Sequence, residues 1–165
     1  MAEWIGIGRR ARRCYGFDEV ALVPGSVTIN PNEVDTRWTI ADKTYQVPIL
    51  AAAMDGVVDV KFAVAMGKLG GIAVLNLDGI QTRYDNPDAV LASIAKASPE
   101  EATKLVQSVY LKPVKEKLIA KRIKEIKSHK VPAVVSCIPQ NAKQFSTIAE
   151  KAGCDIFVVQ STVAT

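Results

Sequence analysis

The chain has 165 residues, of which 48% are hydrophobic and 23% charged, and a formal net charge of +4. This length suits one ordinary domain, and the composition is that of a soluble globular protein. No apolar run reaches the roughly 18 residues that a bilayer-spanning helix needs, and the amino terminus lacks the hydrophobic core of a signal peptide. We therefore expect a cytoplasmic protein that has no membrane partner.

The cysteines also restrict the possible functions. Cys14, Cys137 and Cys154 are odd in number, form no Cys-x-x-Cys pair and have no histidine nearby. This pattern argues against a disulfide framework and against a zinc site, so no metal is predicted. Cys137 ends a predicted strand, but no basic partner is evident that would lower its pKa. We interpret Cys137 as a small buried packing residue.

Positive charge is concentrated in two segments, residues 9–13 and residues 112–130. In the second segment the apolar residues fall on one helical face, which predicts that the charges form a solvated outer face. Nucleic-acid binding is the alternative, but aromatic residues do not alternate with the charges as base stacking requires. No nucleic-acid partner is therefore predicted. The arginines of residues 9–13 could bind a phosphate or a neighbouring subunit.

The predicted elements begin with an irregular segment, residues 1–45, that contains a possible hairpin across Ala41-Asp42. Residues 48–53 form a continuous apolar run, typical of a strand covered on both faces. Asp59 is placed to cap a helix that ends at Gly70 or Gly71, and residues 72–75 form the second strand. A strand–helix repeat therefore starts near residue 46.

Three helical pieces are predicted between residues 86 and 129, beginning at Asn86-Pro87, at a capping box over Ser98–Glu101, and at Pro113. A buried strand at 133–138, a helix at 141–152 and a strand at 155–159 complete the pattern. This alternation predicts a parallel sheet with right-handed crossovers. Two architectures fit: a doubly wound sheet of four or five strands, or the first half of a (β/α)₈ barrel, which needs about 250 residues.

Polar groups follow all four predicted strands, and one set stands out. The tetrad Ala53–Gly56 ends the first strand with Met54 and Asp55, and a carboxylate is costly to bury in a core. Asn76 ends the second strand, Cys137 the third, and Gln160 the fourth. Because ligands bind at the carboxyl ends of parallel strands, we predict a site assembled there from loops. No phosphate loop of the GxxxxGK[ST] or GxGxxG type follows a strand.

Three stretches resemble the opening of the IMP dehydrogenase/GMP reductase family: YGFDEVALVPG, NEVDTRW and VPILAAAMDGVVDVKFAVAMGKLGGIAVLN. LNLDGIQTRYDNPDAVL resembles the shorter branch that lacks tandem CBS domains. The connection between strands two and three is too short to contain two such domains. The resemblance implies a (β/α)₈ barrel, usually in a cytoplasmic homotetramer. Residues 46–165 would supply its first four β/α units, after the N-terminal segment 1–45.

The resemblance further implies a purine-nucleotide oxidoreductase. Such enzymes move a hydride between NAD or NADP(H) and the purine C2, either oxidising IMP to XMP or reducing GMP to IMP. Both reactions use a catalytic cysteine on a loop after strand six, which forms a covalent adduct with the purine. None of the three cysteines here matches it, so no catalytic residue is assigned and the chain alone is expected to be inactive. The alternative is an inactive half-barrel fragment or an interaction module.

Residue by residue, the resemblance implies four substrate-binding positions. Met54 corresponds to the Met of the family's [SA]-x-M-D motif and would pack against the purine, while Asp55 would support that loop. Ala52 stands where a serine often contacts the nucleotide, so one polar contact is missing. Asn76 follows strand two, where many dehydrogenases have histidines.

The resemblance also implies a cofactor-binding set after strand four, formed by Gln160, Ser161 and Thr162. Gln160 replaces an Asp that commonly approaches the cofactor's ribose. An amide still bonds a hydroxyl, but without the strength of a charge-assisted hydrogen bond. This departure favours the NADPH-dependent reductase slightly over the NAD-dependent dehydrogenase.

Overall fold

The structure is a computed structural model that describes residues 2–5, 7–40 and 42–160. The chain divides into two units, residues 1–35 and residues 36–165. In the first unit, β1 (Ala2–Ile5) pairs antiparallel with β2 (Arg9–Arg12), and 3-10 helices follow at Phe17–Glu19 and Pro31–Glu33. The β1–β2 hairpin is absent from the sequence-based prediction, which treats this region as irregular.

The N-terminal arginines of the first unit contact aromatic rings. The guanidinium carbon of Arg10 lies 4.6 Å from the centroid of the Trp4 ring, and that of Arg13 lies 5.2 Å from the Tyr15 ring. Arg13 is also 3.9 Å from the Glu19 carboxylate, with both side chains exposed. Arg10 and Arg13 therefore have contact partners within the first unit.

The second unit is built on a parallel sheet in the order β5-β6-β7-β8. Its strands are β5 (Leu50–Ala51), β6 (Ile72–Asn76), β7 (Val134–Cys137) and β8 (Ile156–Val159). The helices are α1 (Val60–Lys68), α2 (Ile80–Arg83), α3 (Pro87–Lys96), α4 (Pro99–Tyr110), α5 (Glu116–Ser128) and α6 (Pro139–Lys151). The predicted α/β class with a parallel sheet is confirmed. No helix within the described ranges is long and apolar enough to cross a membrane.

The predicted capping residues start and stop these helices. The Asp59 carboxylate accepts a hydrogen bond of 2.6 Å from the Phe62 N–H at the start of α1, and Gly70 follows its end with a φ of +86°. At the start of α4 the Ser98 hydroxyl lies 2.9 Å from the Glu101 carboxylate. Helix α5 begins at Glu116, not at Pro113, because the N–H of Lys115 donates to the Thr82 carbonyl and Lys115 stays extended.

The two faces of the sheet pack against different partners. Register places Val74 beside Val134, and Val134 beside Ile156, on one face. On the other face, Leu75 and Val135 lie in the main core under the helices, which contribute a buried apolar set: Ala63, Val64, Ile119, Ile123, Ile126, Phe145 and Ala149. The buried strands therefore have apolar residues at consecutive positions, as parallel strands covered on both faces do.

A hairpin of β3 (Trp38–Ile40) and β4 (Lys43–Tyr45) closes the amino-terminal edge of the sheet, the edge at which its strands begin. This confirms the predicted hairpin, although Ala41 in its turn lies outside the described residues. Tyr45 is buried beside Ile72 and Val134, and the Trp38 and Tyr45 ring centroids are 5.5 Å apart. The Trp38 indole N–H donates to the Val47 carbonyl at 2.8 Å. The hairpin therefore covers part of the sheet face that carries Val74, Val134 and Ile156.

Asp155 organises the same amino-terminal edge. Its carboxylate accepts hydrogen bonds from Lys43, from Lys127 at 2.8 Å and from the Ala133 N–H at 2.8 Å, and its side chain is 6% exposed. Burial opposes ionisation, but the hydrogen bonds from Lys127, Lys43 and Ala133 prevail and hold the pKa of Asp155 below its ordinary value. The ionised Asp155 carboxylate thus joins β4, α5 and the residue before β7 at this edge.

The first strand departs from its prediction. The sequence predicts a strand over residues 48–53 that is buried on both faces, but β5 contains only Leu50 and Ala51. Ile49 and Leu50 are 54% and 48% exposed. The reason is that β5 is an edge strand in the described sheet and pairs only with β6.

The outer face of α5 departs from its prediction at one position. Leu118, Ile119, Ile123 and Ile126 are buried as expected, but so is the side chain of Arg122, which is not solvated. Its guanidinium donates to the carbonyls of Gln81, Tyr84 and Asp85 at 2.9–3.3 Å and pairs with Glu125 at 2.9 Å. Arg122 therefore fastens α5 to the α2–α3 connection, because it supplies donors to three backbone carbonyls there.

Candidate functional site

The strand ends predicted to form a site surround one cavity of about 370 Å³ at the carboxyl edge of the sheet. We call this cavity the carboxyl-edge pocket. Its lining comes from the ends of all four strands and from two helices: Ala53, Asn76, Asp78, Arg83, Tyr110, Ser136, Cys137, Ile138 and Gln160. The volume is at the lower end of the range for small-molecule sites, about 300–1,000 Å³.

Hydrogen bonds fix the strand ends around the carboxyl-edge pocket. The Asn76 side-chain oxygen accepts from the Asp78 N–H at 3.0 Å. The Asp78 carboxylate in turn accepts from the Ile138 N–H at 2.7 Å and from the Asn141 side-chain amide at 2.5 Å. The Gln160 N–H donates to the Cys137 carbonyl at 2.9 Å. The ends of β6, β7 and β8 are therefore held at fixed distances before any ligand arrives.

Asp55 lies beside the carboxyl-edge pocket and joins three segments. One carboxylate oxygen, Oδ2, accepts from the Ile80 N–H at 2.9 Å and from the Tyr110 hydroxyl. The other, Oδ1, is buried and has no hydrogen-bond partner among the described residues. A Cβ at Gly79 would lie 1.9 Å from Oδ1, so a larger residue there would displace the Asp55 carboxylate. Asp55 thus joins its loop to α2 and to α4 through these two hydrogen bonds.

The predicted substrate-binding residues differ in where the structure places them. Asn76 lines the carboxyl-edge pocket, whereas Ala52 is exposed and does not line it. Met54 is 57% exposed and also lies outside the pocket lining. Ala53, which stands between Ala52 and Met54, lines the pocket. The Met54 carbonyl accepts hydrogen bonds from the N–H groups of Val57 and Val58 at 2.9 Å, which fixes the turn after β5.

Of the predicted cofactor-binding residues, Gln160 lines the carboxyl-edge pocket and its side chain is exposed. Ser161 and Thr162 lie outside the described residues. In the described part of the chain, no group of three or more His, Cys, Asp or Glu side chains is arranged to hold a metal ion.

Cys137 faces the carboxyl-edge pocket but is poorly suited to act as a nucleophile. It is 2% exposed, and burial, reinforced by the nearby charge of Asp78, raises the pKa of its thiol to about 11. Burial also raises the pKa of Cys154. Because the thiolate is the reactive form, both cysteines are unreactive at neutral pH.

Arg83 and Tyr110 are lining residues that the sequence patterns missed. They belong to α2 and α4, within the long helical connection between β6 and β7, and not to the strand ends on which the prediction concentrated. The Arg83 guanidinium carbon lies 5.5 Å from the centroid of the Tyr110 ring. Burial, with the hydrogen bond to Asp55 as the second cause, raises the pKa of Tyr110 above its ordinary value. The phenol therefore stays protonated and donates to Asp55.

The parallel sheet makes this chain an α/β protein, and the polar pocket lies at the carboxyl edge, where α/β folds bind their ligands. The family is more specific: the chain belongs to the IMP dehydrogenase / GMP reductase domain family, whose sequence profile matches residues 14–165. This confirms the resemblance seen in the sequence motifs.

Individual proteins agree with this assignment. The chain is 32% identical over 164 residues to an uncharacterized oxidoreductase of Mycobacterium tuberculosis, covering 96% of this chain and 44% of that protein. It is 28% identical over 99 residues to the inosine-5'-monophosphate dehydrogenase of Methanocaldococcus jannaschii, covering 55% of this chain and 20% of that protein.

A solved structure is similar as well. An IMP dehydrogenase/GMP reductase-like protein from Corynebacterium glutamicum superposes with a TM-score of 0.83 at 31% identity, covering 99% of this chain and 45% of that chain. Both the M. tuberculosis and the C. glutamicum protein match nearly all of this chain. The chain spans somewhat less than half the length of each of them.

Proposed function

We propose that this chain belongs to a purine-nucleotide oxidoreductase that transfers a hydride between a nicotinamide cofactor, NAD or NADP(H), and the purine C2. The reaction would be IMP to XMP or GMP to IMP. The observation that supports this most strongly, beside family membership, is the carboxyl-edge pocket. Asn76 and Gln160, which the resemblance associates with substrate and cofactor, line that one cavity.

We also propose that residues 46–165 supply the first four β/α units of a (β/α)₈ barrel. Four parallel strands in chain order, with an apolar face under the β3–β4 hairpin, support this architecture. The exposed edge strand β5 supports it too, because barrel closure gives every strand two neighbours. By resemblance to the family, the complete protein would be a cytoplasmic homotetramer.

Within the carboxyl-edge pocket and its rim we assign roles residue by residue. Met54, with its exposed side chain, would pack against the purine, next to Ala52 and above the turn that Asp55 supports. Asn76 would contact the substrate from the end of β6. Gln160, with Ser161 and Thr162, would bind the cofactor. An apolar surface for a base beside amides for polar groups is the combination that nucleotide sites use.

Among the described residues, the lining of the carboxyl-edge pocket supplies binding groups but no thiolate. The covalent step needs a thiolate, and the raised pKa of Cys137 keeps its thiol protonated at neutral pH. We therefore propose that the 165-residue chain is inactive alone and that the nucleophile lies elsewhere in the active protein. The cofactor supplies the hydride chemistry, while the residues here orient the two ligands.

The test is a pair of assays on the longest gene product that contains this sequence. IMP with NAD, and separately GMP with NADPH, are followed by the absorbance of the reduced nicotinamide. Turnover in one assay supports the proposal and gives the direction of the reaction. Absence of turnover in both assays, with a protein whose circular dichroism shows that it is folded, would refute it.

A second candidate is an inactive half-barrel module that pairs with itself or with another chain. The exposed edge strand β5 and the protonated thiol of Cys137 in the pocket favour this interpretation. The mass of the natural gene product separates the two proposals. A product much longer than 165 residues favours the oxidoreductase, and one of about 17.8 kDa favours the module.

A further inference from the structure

Arg83 is held rigidly in the wall of the carboxyl-edge pocket. Its Nε donates to the Asp78 carbonyl at 3.0 Å, and one terminal nitrogen, Nη1, donates to the Tyr110 carbonyl at 3.1 Å and to the Lys112 carbonyl. These acceptors lie just before α2 and at the end of α4, within the helical connection between β6 and β7. The guanidinium is therefore positioned before a ligand binds, so little conformational entropy is lost on binding.

Among the described residues, no carboxylate lies within 4.0 Å of the Arg83 guanidinium. The hydrogen-bond acceptors of Arg83 in that part of the chain are all neutral backbone carbonyls. Arg122 provides the contrast, because its Nη1 pairs with Glu125 at 2.9 Å while its other nitrogens bond carbonyls. Nη2 of Arg83 has no hydrogen-bond acceptor within that same part of the chain. A half-buried cation with a free donor in a cavity is suited to bind an anion.

The one carboxylate in the pocket lining, that of Asp78, does not serve this cation. Its two oxygens accept from the Ile138 N–H and from the Asn141 amide, on the side of α6. Its charge is thus stabilised by other donors. The rest of the pocket lining carries no charged side chain: Ala53, Asn76, Tyr110, Ser136, Cys137, Ile138 and Gln160.

We infer that Arg83 binds a phosphoryl group of a nucleotide in the carboxyl-edge pocket. The two free N–H groups of Nη2 can donate to phosphate oxygens, and the amides of Asn76 and Gln160 suit the hydroxyls of a ribose. This inference deepens the proposed function, on which it rests for the class of ligand. The phosphoryl group belongs either to the purine monophosphate or to the adenosine half of the nicotinamide dinucleotide.

The test measures binding of ADP, IMP and adenosine, by isothermal titration calorimetry, to the longest gene product that contains this sequence. We expect ADP or IMP to bind at least about tenfold more tightly than adenosine, and the affinity to fall with added salt. Preference for ADP identifies the dinucleotide as the source, and preference for IMP the purine monophosphate. Equal affinity for adenosine and both phosphorylated probes, or no binding of any, would overturn the inference.

Arg83→Gln should reduce the affinity for the preferred probe at least about tenfold and leave adenosine binding unchanged. Lys104→Gln removes the same charge from an exposed position on α4 and should have no effect. Arg83→Lys keeps the charge but loses the hydrogen bonds that position the guanidinium, so an intermediate affinity is expected. Equal affinity of the Arg83→Gln and Lys104→Gln variants would refute the role of Arg83.

Because Arg83 also bonds three carbonyls, a second measurement uses the unaltered chain. The Nε–Hε signal of Arg83 in nitrogen–proton NMR spectra should shift on addition of the preferred phosphorylated probe, and not with adenosine. An unchanged signal at saturating probe would refute the inference without any substitution. If the probe binds through Arg83 but the longer protein transfers no hydride, the proposed function fails and the phosphoryl site stands. If the longer protein transfers hydride but binds the probe independently of Arg83, the phosphoryl site fails and the proposed function stands.

Discussion

The two edges of the parallel sheet differ in how completely their charged groups are paired. At the amino-terminal edge, Asp155 accepts hydrogen bonds from two lysines and a backbone N–H. At the carboxyl edge, Asp55 keeps one buried oxygen without a partner in the described chain, and Arg83 bonds only neutral carbonyls. Complete pairing stabilises the fold, whereas incomplete pairing leaves groups available to a ligand.

This contrast agrees with a general property of parallel α/β folds, in which the carboxyl edge binds ligands and the opposite edge serves stability. In this chain the difference follows from the elements at each edge. The β3–β4 hairpin covers the amino-terminal edge, while loops and the helical connection between β6 and β7 surround the carboxyl edge. Substitutions at the two edges should therefore change different properties.

The largest effect on stability is expected for Asp155→Asn. The substitution removes the charge that Lys43 and Lys127 share, at a side chain that is only 6% exposed. The loss of two charge-assisted hydrogen bonds to a buried carboxylate should lower the free energy of unfolding by about 3 kcal/mol, measured by urea denaturation. Asp88→Asn removes one carboxylate from an exposed pair with Lys61 and should leave stability unchanged. Similar losses for both variants would contradict the special role of the amino-terminal edge.

The contribution of Asp155 should also depend on pH. Its partners lower the pKa in the folded state below the ordinary value of 3.8. The stabilisation is therefore complete above the unfolded-state pKa and is lost as the pH falls through the lower folded-state pKa. The stability difference between the unaltered chain and Asp155→Asn should thus be constant near neutral pH and shrink below about pH 4. A constant difference down to the acid limit of folding would disprove this assignment.

A smaller effect is expected for Gly79→Ala at the carboxyl edge. The new methyl group would lie 1.9 Å from Oδ1 of Asp55, so the carboxylate must move. We expect a loss of about 2 kcal/mol in the free energy of unfolding, as for other overpacked sites, and a weaker affinity for the nucleotide probes. Gly56→Ala in the loop that carries Asp55 is the matched control, since a Cβ there meets no atom within 4 Å. Equal melting temperatures for the two variants would argue against this steric constraint.

Tyr110→Phe should give the smallest change. It removes the hydroxyl that donates to Asp55 but keeps the ring beside Arg83. One hydrogen bond to a carboxylate at a partly exposed site contributes about 1 kcal/mol, measurable as a lower melting temperature. Nucleotide affinity should change less than in Arg83→Gln. A larger loss of affinity in Tyr110→Phe would assign the binding role to the phenol instead.

The sequence predicts the elements of the second unit well because their signals are local. Asp59 and Ser98 cap helices within three residues of the groups they bind, and Gly70 adopts the positive φ expected at a helix end. The prediction for Arg122 is wrong even though a local signal exists. It lies four residues from both Leu118 and Ile126, which places it on the buried face of α5.

The remaining features depend on contacts distant in sequence. Asp55 meets Tyr110 across 55 positions, and Arg83 meets Lys112 across 29. No periodicity encodes such pairs, so the positions of Arg83 and Tyr110 in the pocket wall required the three-dimensional structure. The sequence does not predict the exposure of β5 for a related reason. An apolar run indicates that a strand should be buried, but not whether a neighbouring strand pairs with it.

That exposed strand has a practical consequence for handling the protein. The edge of β5, with Ile49 and Leu50 about half exposed, presents unpaired backbone groups next to apolar side chains. Such an edge is a template for pairing with another chain, and natural sheets block it with charges, proline or bulges. Pro48 stands at the start of this edge, but no charged side chain interrupts residues 47–54. The 165-residue chain should therefore aggregate as its concentration rises, and Ile49→Lys should reduce this aggregation, measured by light scattering over a concentration series.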